Sequence, residues 1–208
     1  MVGGTESSSV TVEWAMAELL RNPDAMRRAQ EELAQVVGLN NSVEEPHLSQ
    51  LTYLNAVIKE TLRLHTPFPL LVPRFPSQTT TLGGYKVPKS TTIFINAWAI
   101  HRKPDVWEEH LKFKPERFLG VEGKFAYSGN NFNFIPFGSG RRMCAGLPLA
   151  EKMVPYVLAS FLHSFEWKLP NSSGKLLDLS DKFGLVTKKL EPLVAIPTPR
   201  LSNLDLYP

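Results

Sequence analysis

Phe134-Ile135-Pro136-Phe137-Gly138-Ser139-Gly140-Arg141-Arg142-Met143-Cys144-Ala145-Gly146 sets the only cysteine of the chain in a glycine-rich loop, just ahead of a long apolar segment. A thiol placed in this way is a candidate metal ligand, and it binds as the thiolate. The loop offers ways to favour negative charge on sulfur. Its glycines let backbone N–H groups turn toward the sulfur, Pro148 opens a helix whose positive end lies nearby, and Arg142 adds charge. Taken alone, Cys144 also reads as a small buried hydrophobe, the common place of a free cysteine.

Around that loop lie 208 residues, 43% hydrophobic and 21% charged, the makeup of a globular chain able to bury one sizeable core or two small ones. Lys and Arg number 23 against 20 Asp and Glu, a net charge of +3, and the basic residues are scattered, so nucleic acid is not an expected partner. One cysteine forms no internal disulfide, which points to a reducing compartment. No stretch approaches the roughly 20 apolar residues that span a bilayer, and Met1 to Glu6 is not a signal peptide. The chain is expected to be soluble, or held to a membrane by a part it does not include. His47, His65, His101, His110 and His163 are dispersed with no zinc spacing, and His101 reads as a helix-end or packing residue.

Periodicity predicts a helix from the chain start to Arg21, on Val10, Trp14, Met16, Ala17 and Leu20, stopped by Asn22-Pro23. By itself Gly3 to Ser8 reads as a frayed start with a Ser or Thr cap. A second helix is expected over Pro23 to Val37, capped by Asn22 with Gly38 beyond its end, then a helical turn near Glu44 to Gln50. A third helix, Tyr53 to Leu64, has an apolar arc of Leu54, Val57, Ile58 and Leu62, with Glu60 and Arg63 on another face; alone, such a pair reads as a solvated one worth tenths of a kcal/mol, in the ~0.2–0.5 range. Prolines 67, 69, 73 and 76 forbid further helix and leave Leu70 to Val72 extended, as an edge strand. Thr79 to Leu82 and Tyr85 to Val87 flank Gly83-Gly84 as a hairpin, and Thr91 to Asn96 reads as a further strand of one small sheet. Lys103 to Phe134 is loop-rich. Leu147 to Phe165 reads as a helix apolar on nearly every side, with a kink at Pro155. Short strands follow at Trp167 to Leu169, Asp178 to Ser180, Leu185 to Thr187 and Leu193 to Ile196.

The pattern Phe137-x-x-Gly140-x-Arg142-x-Cys144-x-Gly146 resembles the haem-binding signature of the cytochromes P-450, in which one axial thiolate on a haem iron favours splitting of the O–O bond of dioxygen. Five set residue types within ten positions arise by chance in on the order of one chain in ten thousand of this length. Three further motifs stand in the family's order. Gly3-Gly4-Thr5-Glu6-Ser7 resembles the oxygen-site segment of the long distal helix, with serine in place of the usual threonine. Glu60-Thr61-Leu62-Arg63 matches the Glu-x-x-Arg pair, and Pro115-Glu116-Arg117-Phe118 the segment whose arginine joins it.

The resemblance implies a mainly α fold with small β-sheets, the C-terminal part of the cytochrome P-450 fold, with residues 1–208 as a single partial domain. It implies Cys144 as axial ligand of haem (iron protoporphyrin IX) and Arg142 and Arg74 on its propionates, with Phe137, Gly138, Gly140 and Gly146 shaping the loop. It assigns catalytic roles to Glu6 and to Ser7, whose O–H would relay protons. A substrate pocket is implied at Gly3, Gly4, Pro69, Leu70, Leu71, Val72, Leu185 and Val186. Glu60, Arg63 and Arg117 form a structural triad. In detail the chain is similar to plant microsomal members, the family numbered seven hundred and six and those labelled flavonoid 3'-monooxygenase. The expected function is insertion of one atom of O2 into a small apolar metabolite, terpenoid or phenylpropanoid and flavonoid, as part of plant secondary metabolism. Electrons would come from NADPH through a cytochrome reductase docked near Arg141 and Lys152. Such enzymes sit on the cytosolic face of the endoplasmic reticulum membrane and are more than twice as long. An anchor and the first helices are therefore expected to be missing, and the alternative is a truncated, non-catalytic remnant with little or no haem binding.

Overall fold

Trp14, Leu19, Leu33, Leu54, Leu158 and Leu162 are fully buried, and the helices that carry them form the core. The computed structural model describes residues 2–121, 123–170 and 177–207. Helix α1 (Val2–Arg21) packs on α2 (Pro23–Val36), α3 (Thr52–Leu64) and α5 (Leu147–Ser164). Helix α1 runs through Gly3 and Gly4, so its start is helical and not a capped coil. Between α2 and α3 lies a 3-10 turn, Glu45–Gln50, and the short α4 is Ala97–Ile100.

Three two-stranded antiparallel ribbons are present among the described residues. They pair β1 (Thr80–Leu82) with β2 (Tyr85–Val87), β3 (Phe165–Lys168) with β6 (Ile196–Pro199), and β4 (Asp181–Lys182) with β5 (Lys188–Lys189). No described helix is long and apolar enough to cross a membrane.

Several sequence expectations are corrected. Leu70 to Val72 is a turn, with Leu71 at φ 50 and its amide donating to Phe68 O at 3.1 Å. Prolines supply no N–H, so this segment cannot run a ladder; its carbonyls accept single bonds instead, at Pro67 from Thr187, at Pro69 from Trp98 and at Leu70 from Ile95. Thr91 to Asn96 is likewise no strand, and only Ile93 bridges to Arg74. The C-terminal strands form a few residues away from the predicted positions. Asn22 occupies the α2 N-cap without capping, because its side chain donates back to Glu18 O at 2.8 Å. Helix α5, which carries Pro155 within it as expected, is buried on one side and not on nearly every side, with Leu149 and Met153 exposed.

The Glu60 face of α3 is not solvated: it packs on the 3-10 turn Pro115–Phe118, and Glu60 and Arg63 are both fully buried. Leu51, before α3, has no side-chain oxygen to cap it. The two carboxylate oxygens of Glu32, on α2, take the Tyr53 and Leu54 amides at 2.7 and 2.9 Å.

Candidate active site

The cysteine loop hangs from an aromatic cluster. Phe134, fully buried, contacts Trp107, Phe118, Phe125 and Tyr127 with ring centroids 5.2–6.3 Å apart. Beyond it the chain turns tightly: the Gly138 amide donates to Ile135 O at 2.9 Å, and the Cys144 amide to Phe137 O at 2.9 Å. Gly138 sits at φ 75, and a Cβ there would come 3.4 Å from Arg74 Nη2. A 3-10 turn, Gly140–Arg142, precedes Cys144, whose thiol is free and exposed, and Gly146 is the N-cap of α5.

That thiol opens into a cavity of about 1640 Å³. One wall is a single face of α1: Gly3, Gly4, Ser7, Ser8 and Thr11 recur at helical spacing. Ser7 Oγ donates to Gly3 O at 2.7 Å, and Thr11 Oγ1 donates to Ser7 O at 2.8 Å. The other walls bring Phe68, Leu71, Val72 and Arg74, then Phe137, Gly138, Arg142 and Gly146, then Leu149 and Met153 of α5.

Of the predicted site residues, Gly3, Gly4, Ser7, Leu71, Val72, Arg74, Phe137, Gly138, Arg142, Cys144 and Gly146 share this cavity. Glu6, Pro69, Leu70, Gly140, Leu185 and Val186 do not line it. Glu6 points off the α1 wall and pairs with Lys188. Val186 packs further along α1, against Val10, Trp14 and Ala17. The Thr187 amide bonded to Pro67 O, and Thr187 O accepting from Trp14 Nε1, tie that segment there.

Ser8, Thr11, Lys59 and Tyr127 line the cavity without having been singled out. Ser8 and Thr11 follow from extending the Gly4–Ser7 face by one turn. Lys59 and Tyr127 carried no such signal. Burial pushes the Lys59 ammonium below its ordinary value, against the attraction of Glu151, and burial pushes the Tyr127 phenol up. Gly129 was missed as well. At φ 71, a Cβ on it would lie 2.8 Å from Gly138 O, and its own carbonyl accepts from Ser139 Oγ at 2.6 Å.

Behind the loop Glu60 holds four hydrogen bonds. Arg63 Nε and Nη2 donate to it at 2.7 and 2.8 Å, Arg117 Nε at 3.0 Å and the Lys114 amide at 2.9 Å. Arg63 also donates to the carbonyls of His101, His110 and Lys112, and Arg117 to that of Glu108. The guanidinium forks thus pin the irregular stretch 101–117 onto α3.

One soft donor beside the guanidiniums of Arg74 and Arg142, facing the apolar side chains of Phe68, Leu71, Val72, Leu149 and Met153, suits a planar group that brings its other metal ligands with it and carries anionic arms. The residues present therefore fit haem.

The Cytochrome P450 family model matches residues 1–195. Geraniol 8-hydroxylase of Swertia mussotii is 51% identical over 199 residues, covering 95% of this chain and 40% of that protein. Flavonoid 3'-monooxygenase of Petunia hybrida is 46% identical over 203 residues, covering 96% and 40%. A solved zebra fish cytochrome P450 with progesterone superposes with a TM-score of 0.84 at 35% identity, covering 96% of this chain and 43% of that one. The chain spans about 40% of the length of the curated relatives it matches. With its motifs, its mainly helical fold and its thiol-bearing cavity, this chain belongs to the cytochrome P450 family.

Proposed function

We propose that the chain is the haem-binding part of a monooxygenase that inserts one oxygen atom of O2 into a small apolar plant metabolite, of the terpenoid or the phenylpropanoid and flavonoid class. The observation that carries this reading is the Cys144 thiol, standing free in a cavity shared with Arg74, Arg142 and the hydroxyl face of α1. The names of the relatives, acting on geraniol and on flavonoids, support the substrate class.

Cys144 would ligate the iron, and Arg74 and Arg142 would hold the carboxylate arms, with Phe137, Gly138, Gly140 and Gly146 shaping the loop around them. Haem bound there supplies the iron at which dioxygen is reduced and its O–O bond broken, one atom going to substrate and one to water. Gly3 and Gly4 leave the α1 wall open, with no atom within 4 Å of a Cβ at either. Ser7 holds its hydroxyl proton on Gly3 O; turning about χ1 would aim that proton into the cavity. Glu6 would have to leave Lys188 to join it. Phe68, Leu71 and Val72 offer the apolar surface that orients a substrate.

Electrons from NADPH would arrive through a reductase near Arg141 and Lys152, the latter already paired with Glu45. In the longer parent enzyme this face would meet the cytosol at the endoplasmic reticulum membrane.

The test is a carbon monoxide difference spectrum of the reduced, haem-loaded chain beside Cys144→Ser. A red-shifted, thiolate-type band lost in the variant is expected. Equal spectra in the two forms, or no haem uptake, would overturn the reading.

A further inference from the structure

His101 follows α4 and is fully buried. Its Nε2 accepts from the Ile135 backbone N–H at 3.0 Å. That places the ring proton on Nδ1, which faces Thr66 Oγ1 at 2.9 Å, and Thr66 Oγ1 donates in turn to Arg63 O at 3.2 Å. Arg63 Nη1 closes the circuit by donating to His101 O at 2.8 Å. Every bond in the loop has one direction, and a protonated ring would break the one to Ile135. Burial, with the nearby charges of Arg63 and Arg102, pushes the imidazole down to about 3, so it stays an acceptor.

Ile135 opens the cysteine loop. Its carbonyl takes the Gly138 amide, and two residues on, Phe137 O takes the amide of Cys144. A leucine or phenylalanine would satisfy the packing of this site, but it would leave the Ile135 N–H buried without a partner and the Thr66 hydroxyl with only its bond to Arg63 O.

We propose that His101 is a positioning residue for the cysteine loop, handing the Ile135 amide to the frame built on Glu60 and Arg63 and so fixing where Cys144 stands. Its importance rests on Cys144 being the haem ligand; its test does not, because it is read on the haem-free chain.

Residue-resolved amide hydrogen exchange and the alkylation rate of the Cys144 thiol by iodoacetamide are followed in His101→Leu, His101→Gln and His101→Asn. In His101→Leu the Ile135 and Cys144 amides should exchange about 10- to 100-fold faster while α2 amides keep their rates. Thiol alkylation should quicken several-fold in the same variant. The Gln side-chain carbonyl reaches the place of Nε2 and should restore Ile135 protection; Asn is too short and should not. Wild-type exchange in His101→Leu would overturn the proposal. If that variant fails to fold, the two amides decide: rescue by Gln alone supports it, and equal Ile135 protection in Gln and Asn refutes it.

Discussion

Glu60→Gln removes a charge and almost no volume, so its cost isolates the electrostatic part of the triad. The carboxylate is fully buried and accepts three hydrogen bonds from Arg63 and Arg117 and one from the Lys114 amide. A glutamine oxygen can replace only one of the two carboxylate oxygens, and its NH2 would then face an Arg63 N–H, donor against donor. With the glutamine oxygen at the place of Oε1, the bonds from Arg63 Nη2, Arg117 and Lys114 stay and only that of Arg63 Nε to Oε2 is lost, at ~1.5–3 kcal/mol. Both guanidiniums are also left without their countercharge, and removing one partner of a buried ion pair costs ~3–5 kcal/mol, so we expect about 3–5. For a chain of this size that lowers Tm by roughly 6–20 °C. Urea unfolding followed by circular dichroism, with the m-value checked for constancy, measures it. A loss under ~1 kcal/mol, the worth of an exposed pair, would refute the geometry argued for the triad.

Acid should destabilise the fold before its carboxylates titrate. The His101 imidazole is held to about 3, below its unfolded value, so between about pH 6 and pH 3 the unfolded chain binds the extra proton. Stability should fall by about 1.4 kcal/mol per pH unit as pH drops through that window, on top of the same-direction contributions of His65 and His163, and His101→Gln should flatten the slope measured by urea titrations. Gly129→Ala should cost about 1–3 kcal/mol, because a side chain at φ 71 is strained and its Cβ meets the Gly138 carbonyl; thermal unfolding beside the exposed-turn control Gly83→Ala tests the second cause. Pro155→Ala restores the α5 hydrogen bond to Glu151 and should raise stability by up to about 3 kcal/mol, less whatever the buried ring contributes to packing.

The cysteine loop and the helices were legible because each depends on local signals: glycine, proline and a 3.6-residue period. The segment from Pro67 to Pro76 was not. Its prolines exclude helix, and extended chain was inferred by elimination, whereas Leu71 turns through φ 50 to leave carbonyls free for three separate partners. The burial of Glu60 and Arg63 was equally invisible in α3 alone, since their partners lie on residues 101–117. Leu185 and Val186 were assigned to the pocket, but neither lines the cavity: the Pro67 carbonyl and the Trp14 indole hold Thr187, and Val186 packs on Val10, Trp14 and Ala17 further along α1. His101 read as a helix-end or packing residue and does end α4, but no pattern announces a histidine whose two nitrogens meet a loop amide and a threonine hydroxyl.

The cap that Glu32 places on α3 also bears on how the chain folds. A helix of 13 residues with no cap of its own is marginal in water, and its start is stabilised from 21 residues upstream. The cap on helix α3 therefore forms only once α2 has docked. The two should gain and lose hydrogen-exchange protection together, as one cooperative unit. The pair that fastens the region around the cysteine loop, Glu60 and Arg63, is thus assembled by a helix–helix docking event and not by local propensity, and a substitution at Glu32 should slow the acquisition of the site without touching any residue in it.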